Sequence, residues 1–439
     1  MRDSFFRQAM AIAVPVSLQA MLQSSFSMID QVMVGQLGGT QVAAVEIGGK
    51  PGFVFTFVSG AVAAVAGIMI SQYMGKRDEN SVRGSVSVNL CAALLLGLIT
   101  TGLCLALPGR IAALYTADAA VIGEALAYIR LIVPVFPMSG VAGVLAVEIR
   151  CRGHARIPLY ISAAAAVINT LLNALLIFGR WGLPALGVRG AALATVISQA
   201  LQLTLMMAAH RRRCGFHFQP RIGWPAFRRY LGMLLPAAAN ELLWTVSQNI
   251  YTGIYGHMGT AELAAMALTG PVQGMLTGAL SGLSQAAGIL IGQRLGEGDY
   301  EQAYRQSKRL CVYGLLGSLG LALALAALRG AYAGLYRVEQ NVQALGAQLL
   351  MLFALLLPVK VQNMILGGGV IRSGGRTHYI MIIDTLGAWL VGVPLGLITG
   401  RALGWPIGWV YLALSMEEVF RLILSVILFR SRKWMQTIA

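Results

Sequence analysis

Apolar residues fall in runs of about twenty along the whole chain, each long enough to cross a bilayer as a helix. Charged stretches and glycine- or proline-bearing turns separate the runs. They predict twelve helices, at 9–36, 43–72, 86–108, 122–147, 157–178, 187–209, 231–256, 263–292, 309–328, 342–370, 378–399 and 407–429. The first run follows only MRDSFFRQ and has no small-residue cleavage site after it, so it reads as a retained helix rather than a signal peptide. Pro15, Pro51, Pro134, Pro137, Pro236, Pro271, Pro358 and Pro394 lie within predicted helices. Each frees a backbone carbonyl and marks a place where its helix can bend.

The polar positions inside these helices are few and ordered. At the helical repeat, Gln19, Gln23 and Asp30 of the first helix fall within about 40° of one another, a polar stripe expected to face the bundle interior. Asp30 lies about 9 Å from the outer end of its helix at the standard rise. Asn169 and Asn173 are i,i+4 on the fifth helix, and Thr195 is on the sixth, at similar depths. A carboxylate, two amides and a hydroxyl thus share one level of the first half of the chain. Oxygen ligands of this kind suit a hard cation such as Na+, held by Asp30, Asn169 and Asn173. A protonated carboxyl group satisfies the same surroundings. In the second half, Glu241, Thr245, Gln248 and Thr252 make a stripe about 60° wide on the seventh helix. Lys360 and Asn363 are on the tenth helix, Asp384 on the eleventh, and Glu417, Glu418 and Arg421 on the twelfth. Charges inside a bilayer need partners. Lys360 is expected to pair with Glu241 or Glu418, Glu417 with Arg421 at i,i+4, Asp384 with Arg372 or Arg376, and Glu46 with Lys50. Trp244, Tyr251, Phe26, Met21, Met28 and Met33 are candidates for an adaptable apolar surface against a ligand.

Composition agrees with the pattern. The 439 residues are 57% hydrophobic and 11% charged, against about 25% charged in soluble proteins. The net charge of +16 would suit nucleic acid, but its distribution argues against that partner. With the N-terminus inside, twenty-three of the thirty-three Lys and Arg residues fall on the inner side, and six, including Arg180 and Arg337, fall outside. That asymmetry is the positive-inside bias and predicts both termini in the cytoplasm of a multi-pass cytoplasmic-membrane protein. The five cysteines have no CxxC spacing, and the histidines, His217 among them, lie in or beside loops. Neither set forms a metal framework in the sequence, and no nucleophile–base pair is visible, so no enzyme and no cofactor is expected.

Sliding the chain by 221 residues against itself aligns Pro15 with Pro236, VGQLGGTQVAAV with YGHMGTAELAAM, and GIMISQYMGKRD with GILIGQRLGEGD. Pro137 then meets Pro358, and Gly187 meets Gly408. A repeat of this length means two homologous bundles. Six helices per bundle give both the same orientation, the parallel-repeat plan of many secondary transporters. The expected fold is an all-α integral membrane protein with twelve transmembrane helices in two six-helix bundles, related by a parallel pseudo-two-fold repeat. Its divisions are an N-terminal lobe at 1–209, a basic linker at 210–230 and a C-terminal lobe at 231–439.

The repeated segments, INTLLNALLIFGRWGLPALGVRGAALAT, LPAAANELLW and VIRSGGRTHYIMIIDTLGAWLVGVPLG together resemble the multidrug and toxic compound extrusion family over essentially the whole chain. The resemblance implies a secondary antiporter that expels small cationic or amphipathic organic compounds by alternating access, in exchange for H+ or Na+. It also implies a cation site at Asp30, Asn169 and Asn173. Archaeal members carry aspartate where this chain has Asn173, a departure that leaves the coupling ion open. Sodium-coupled members add a seventh-helix glutamate and a tenth-helix aspartate. Here Glu241 stands three positions earlier and Lys360 lies near the second place, so that site is not carried over. Glu46, Trp244, Gln248, Lys360, Asp384 and Glu418 remain cavity candidates, with Gln19, Gln23 and Glu241. A flippase for lipid-linked sugars is the alternative within the same superfamily. The expected partners are the organic substrates and the lipid bilayer, with no nucleic acid, and the expected state is a monomer.

Overall fold

The computed structural model describes residues 2–179, 182, 184–215, 219, 223–336 and 338–438. Arg180, His217, Arg337 and parts of the linker (216–218 and 220–222) lie outside the described residues. Among those described, every regular element is a helix. The long helices of the first half are α1 (Arg2–Gly35), α2 (Gly39–Gly75), α3 (Glu79–Ala106), α7 (Arg156–Leu176) and α8 (Val188–Arg213), with a short α4 (Pro108–Ala113). Between α4 and α7 the chain forms α5 (Ala119–Ile132) and α6 (Val135–Cys151). The second half has α9 (Trp224–Met258), α10 (Thr260–Gly296), α11 (Tyr300–Ala333), α12 (Gln340–Asn363), α13 (Thr377–Thr385), α14 (Val393–Leu397) and α15 (Ile407–Ser431). Nine spans in the described residues are long and apolar enough to cross a membrane, and the bent α5–α6 pair makes a tenth. α9 and α15 are of similar length but carry more polar groups, among them Asn240 and Glu241 on one and Glu417, Glu418 and Arg421 on the other.

Three expected helices are irregular. The fourth, expected over 122–147, is broken between α5 and α6 with a 43° bend. Pro134 stands at the break, where its ring and missing N–H disrupt the hydrogen-bond ladder. The tenth and eleventh loosen into π-helical turns at Met364–Ile371, Leu386–Gly392 and Ile398–Ala402. Such turns release carbonyls from the regular ladder and are common at functional sites.

The chain divides into two compact units. One comprises Met1–Ala20, Ser71–Asp78 and Arg228–Ala439, and the other Met21–Ile70 and Glu79–Phe227. In the second of these, Phe55, Cys104, Ile129, Ile132, Val133 and Phe136 form a buried apolar cluster. α3 meets α6 closely there: a Cβ on Gly97 would lie 2.5 Å from the Pro137 Cα, so only glycine permits the approach. On the outer face of α3, Leu95, Leu98, Ile99 and Leu103 are exposed. In water such a stripe would promote aggregation; against acyl chains it is the ordinary surface of a membrane helix.

In the other unit, the chain after α15 turns back onto the helices. Trp434 is fully buried, stacks on Phe429 and donates its indole N–H to the Phe429 carbonyl at 3.1 Å. The Gln72 amide donates to the Ser373 carbonyl at 2.6 Å and accepts from the Ile438 N–H at 2.7 Å. A buried amide with both ends engaged fixes the last turn of α2 and residues 436–438 together without an unsatisfied polar group.

Candidate functional site

Two polar clusters lie inside the helices, one in each unit. The first is built on α1, α7 and α8. Asn173 donates its side-chain amide to Asp30 Oδ1 at 2.8 Å. With its own amide nitrogen turned to the carboxylate, Asn169 lies 3.1 Å from both Asp30 oxygens. The other end of the same amide lies 3.3 Å from the Ser198 hydroxyl and 3.4 Å from the Thr195 hydroxyl, and Asn173 is 3.2 Å away. Turned this way, both ends of the Asn169 amide are satisfied. Asn169, Asn173 and Ser198 are buried, and Asp30 is half-buried. The structure thus brings together Asp30, Asn169, Asn173 and Thr195. Ser198 completes the group. It is i,i+3 from Thr195 on the same helix face, a spacing by which the sequence reading could have found it. Gln23 is exposed, and Gln19 is half-buried in the other unit. Glu46 and Lys50 pair at 2.5 Å in an exposed position, the partnership expected at i,i+4.

The second cluster is built on α9, α12, α13 and α15. Lys360 Nζ donates to Glu418 Oε1 at 3.0 Å. Asn363 holds the other Glu418 oxygen at 2.8 Å, and Arg421 lies 3.6 Å from it. Arg421 binds Asp384 through Nε at 2.8 Å, and Asn240 donates to the second Asp384 oxygen at 2.9 Å. Glu241 lies 3.7 Å from Arg372. Of its two expected partners Lys360 takes Glu418, and Glu241 faces Arg372. Two other expected pairings are corrected. Asp384 binds Arg421 rather than Arg372 or Arg376. Arg421 turns away from Glu417, its i,i+4 neighbour, because Asp384 and Glu418 offer it two carboxylates. Glu417 instead accepts a hydrogen bond from the Tyr251 hydroxyl. Lys360, Gln248, Tyr251 and Glu417 line a cavity of about 310 Å³ between α9, α10, α12 and α15. Trp244 is exposed one turn before Gln248 on α9 and is not part of that lining.

A third cluster escaped the sequence reading. Glu148, His210 and Cys214 place their ligand atoms within 4.8 Å of one another. His210 Nε2 lies 2.6 Å from Glu148 Oε2, and Arg152 binds the other oxygen at 3.0 Å while bridging to Glu79 at 3.0 Å. The bound guanidinium makes this an ion-pair network at the helix ends rather than an electron-rich metal cage.

Helices built to span a bilayer, with polar clusters held inside them, make the protein a multi-pass membrane transporter in build. The MatE family model matches residues 15–175 and 236–398, and the chain belongs to that family of transporters. The two matched stretches begin 221 residues apart, the offset at which the chain aligns with itself. A probable multidrug resistance protein, NorM of Rhizobium meliloti, is 30% identical over 417 residues, covering 92% of this chain and 87% of that protein. An uncharacterized transporter of Bacillus subtilis, YisQ, is 22% identical over 430 residues, covering 96% and 93%. The crystal structure of a mutant of the Vibrio cholerae MATE transporter VcmN has a TM-score of 0.91 at 18% identity, covering 98% of this chain and 97% of that one. At that identity the likeness speaks for the fold.

Proposed function

We propose that the protein is a secondary antiporter that exports small cationic or amphipathic organic compounds from the cytoplasm in exchange for H+ or Na+. Asp30 is the residue at which the coupling ion is exchanged. The observation that carries this reading is the Asp30–Asn173–Asn169 cluster, a carboxylate among buried amides and hydroxyls within the helices. Asp30 can take up a proton. It can equally contribute, with the amide oxygens, to an oxygen shell for Na+. Either ion neutralises the carboxylate and weakens the charge-assisted hydrogen bond from Asn173. Gain and loss of that one charge change how firmly α1 is held to α7, and a contact of two strengths between helices biases the two states that alternating access needs. The names of multidrug resistance relatives support the cargo class. The Lys and Arg asymmetry supports a place in the cytoplasmic membrane with both termini inside. In this reading the chain works as a monomer without a cofactor, with a lobe at 1–209, a linker at 210–230 and a lobe at 231–439.

Asp30→Asn removes the charge and keeps the shape. It should leave the melting temperature of the purified protein within a few degrees of wild type. Expressed at equal level in a pump-deficient bacterium, it should leave ethidium accumulation as high as in cells without the transporter. Wild-type efflux by the mutant would contradict the assignment.

A further inference from the structure

The ionised groups inside the second cluster do not cancel. Lys360 and Arg421 face Glu418 and Asp384 at 3.0 Å and 2.6 Å, two cations against two carboxylates. Glu241 has its own partner in Arg372. Glu417 is the remainder. Among the described residues no Lys, Arg or His lies within 4 Å of its carboxylate, although it is only 5% exposed. Its partner is the Tyr251 hydroxyl, which is neutral. A buried carboxylate with one neutral donor is poorly compensated, and it stands on the wall of a cavity.

The rest of the lining is suited to a cation. Tyr251, Tyr255 and Tyr411 line the same space, with Met266 and Leu414 as apolar residues and Gln248 as an amide. Aromatic faces attract ammonium groups, more strongly where water is excluded. Lys360 also reaches the wall, but its charge is already matched by Glu418, which Asn363 and Arg421 hold in place. The cluster as a whole therefore holds one carboxyl group more than it has cations, and that group, Glu417, is the one on the cavity wall. The backbone is shaped around this carboxylate. A Cβ on Gly392 would lie 2.1 Å from the Tyr251 hydroxyl oxygen and 2.8 Å from Glu417 Oε2, so glycine at the end of the π-helical turn at 386–392 leaves the pair its room. The volume of about 310 Å³ is at the low end for small-molecule sites. It suits a compact ligand better than a polycyclic drug.

The geometry points to a binding site for a small, singly charged organic ammonium ion in the second half of the chain, anchored by Glu417 and walled by the three tyrosines. The site rests on the reading of the protein as a transporter of organic cations, and names the place where the smallest of them are held. It is made of other residues than the Asp30 cluster, and its anchor is on α15, where the sequence pattern paired Glu417 with Arg421 and offered Glu418 as the cavity candidate.

The test is equilibrium binding of radiolabelled tetraethylammonium to the purified full-length protein in nanodiscs. Wild type should bind at one saturable site. Glu417→Gln, which keeps an oxygen for Tyr251 but removes the charge, should weaken binding at least ten-fold, while Asp30→Asn should bind within three-fold of wild type. Ala267→Phe fills the cavity from its α10 side and leaves every ionised group in place, so it should also abolish binding, and it decides the matter if Glu417→Gln does not fold. Binding that survives both Glu417→Gln and Ala267→Phe, or that is lost in Asp30→Asn alone, overturns the site while leaving cation export intact. No binding by a wild-type protein that still expels ethidium from cells overturns it equally. If wild type neither binds tetraethylammonium nor expels ethidium, the transport reading fails first and takes the site with it.

Discussion

At the scale of single residues, the polar clusters are defined by which charges are paired and by what. Lys360 is held by Glu418, whose second oxygen is fixed by Asn363. Removing one partner of a buried ion pair typically costs about 3–5 kcal/mol, because the other charge is left without compensation. Lys360→Ala should therefore lower the stability of the purified protein by about 3 kcal/mol in a reversible unfolding assay. Combined with Glu418→Gln, the loss should be clearly smaller than the sum of the two single losses, whereas Glu241→Gln should simply add. A double-mutant cycle with the coupling on Glu241 would contradict the observed pairing. Residue chemistry of this kind was partly legible in the sequence. Asp30 with Asn169 and Asn173 followed from helical phase and depth, because one face of a helix is fixed by its period. The partner of Arg421 did not follow. At i,i+4 Glu417 was the obvious candidate, but Asp384, thirty-seven residues away, takes the guanidinium. Local spacing cannot weigh a neighbour that only tertiary packing supplies. The Glu148–His210 contact, sixty-two residues apart, was hidden for the same reason.

At the scale of elements, hydrophobic run length placed nearly all the membrane helices, since a bilayer sets that length directly. Their irregularities were less visible. Pro134 marks a place in the sequence where the helix can bend, and in the structure the chain breaks there between α5 and α6. The π-helical turns at 364–371 and 386–392 left no mark in the apolar pattern, because they change hydrogen-bond register rather than residue type. Close packing leaves glycine as its trace. Gly97 faces the Pro137 backbone just after the α5–α6 break. Gly97→Val should push α3 away from α6 and lower the melting temperature by several degrees, in line with about 1–3 kcal/mol for overpacking a filled interior. An unchanged melting temperature would mean that the two helices can separate without loss.

At the scale of the whole molecule, the internal repeat was readable because it is a property of the sequence itself, and the family match falls on the same two stretches. The distribution of polar groups is not repeated in the same way. The Asp30 cluster of the first half has one carboxylate with amides and hydroxyls, and the Glu418 cluster of the second has four acids with three bases. Two halves of common origin therefore offer different chemistry, and the coupling site we propose is the simpler of the two. The most direct test is transport by the purified protein in proteoliposomes, with a proton gradient or a sodium gradient imposed one at a time. Wild type should drive ethidium movement against the gradient of at least one of these ions, and Asp30→Asn should be inactive with both. Gradient-driven transport that persists in Asp30→Asn, or that is absent from wild type under both gradients, would contradict the account.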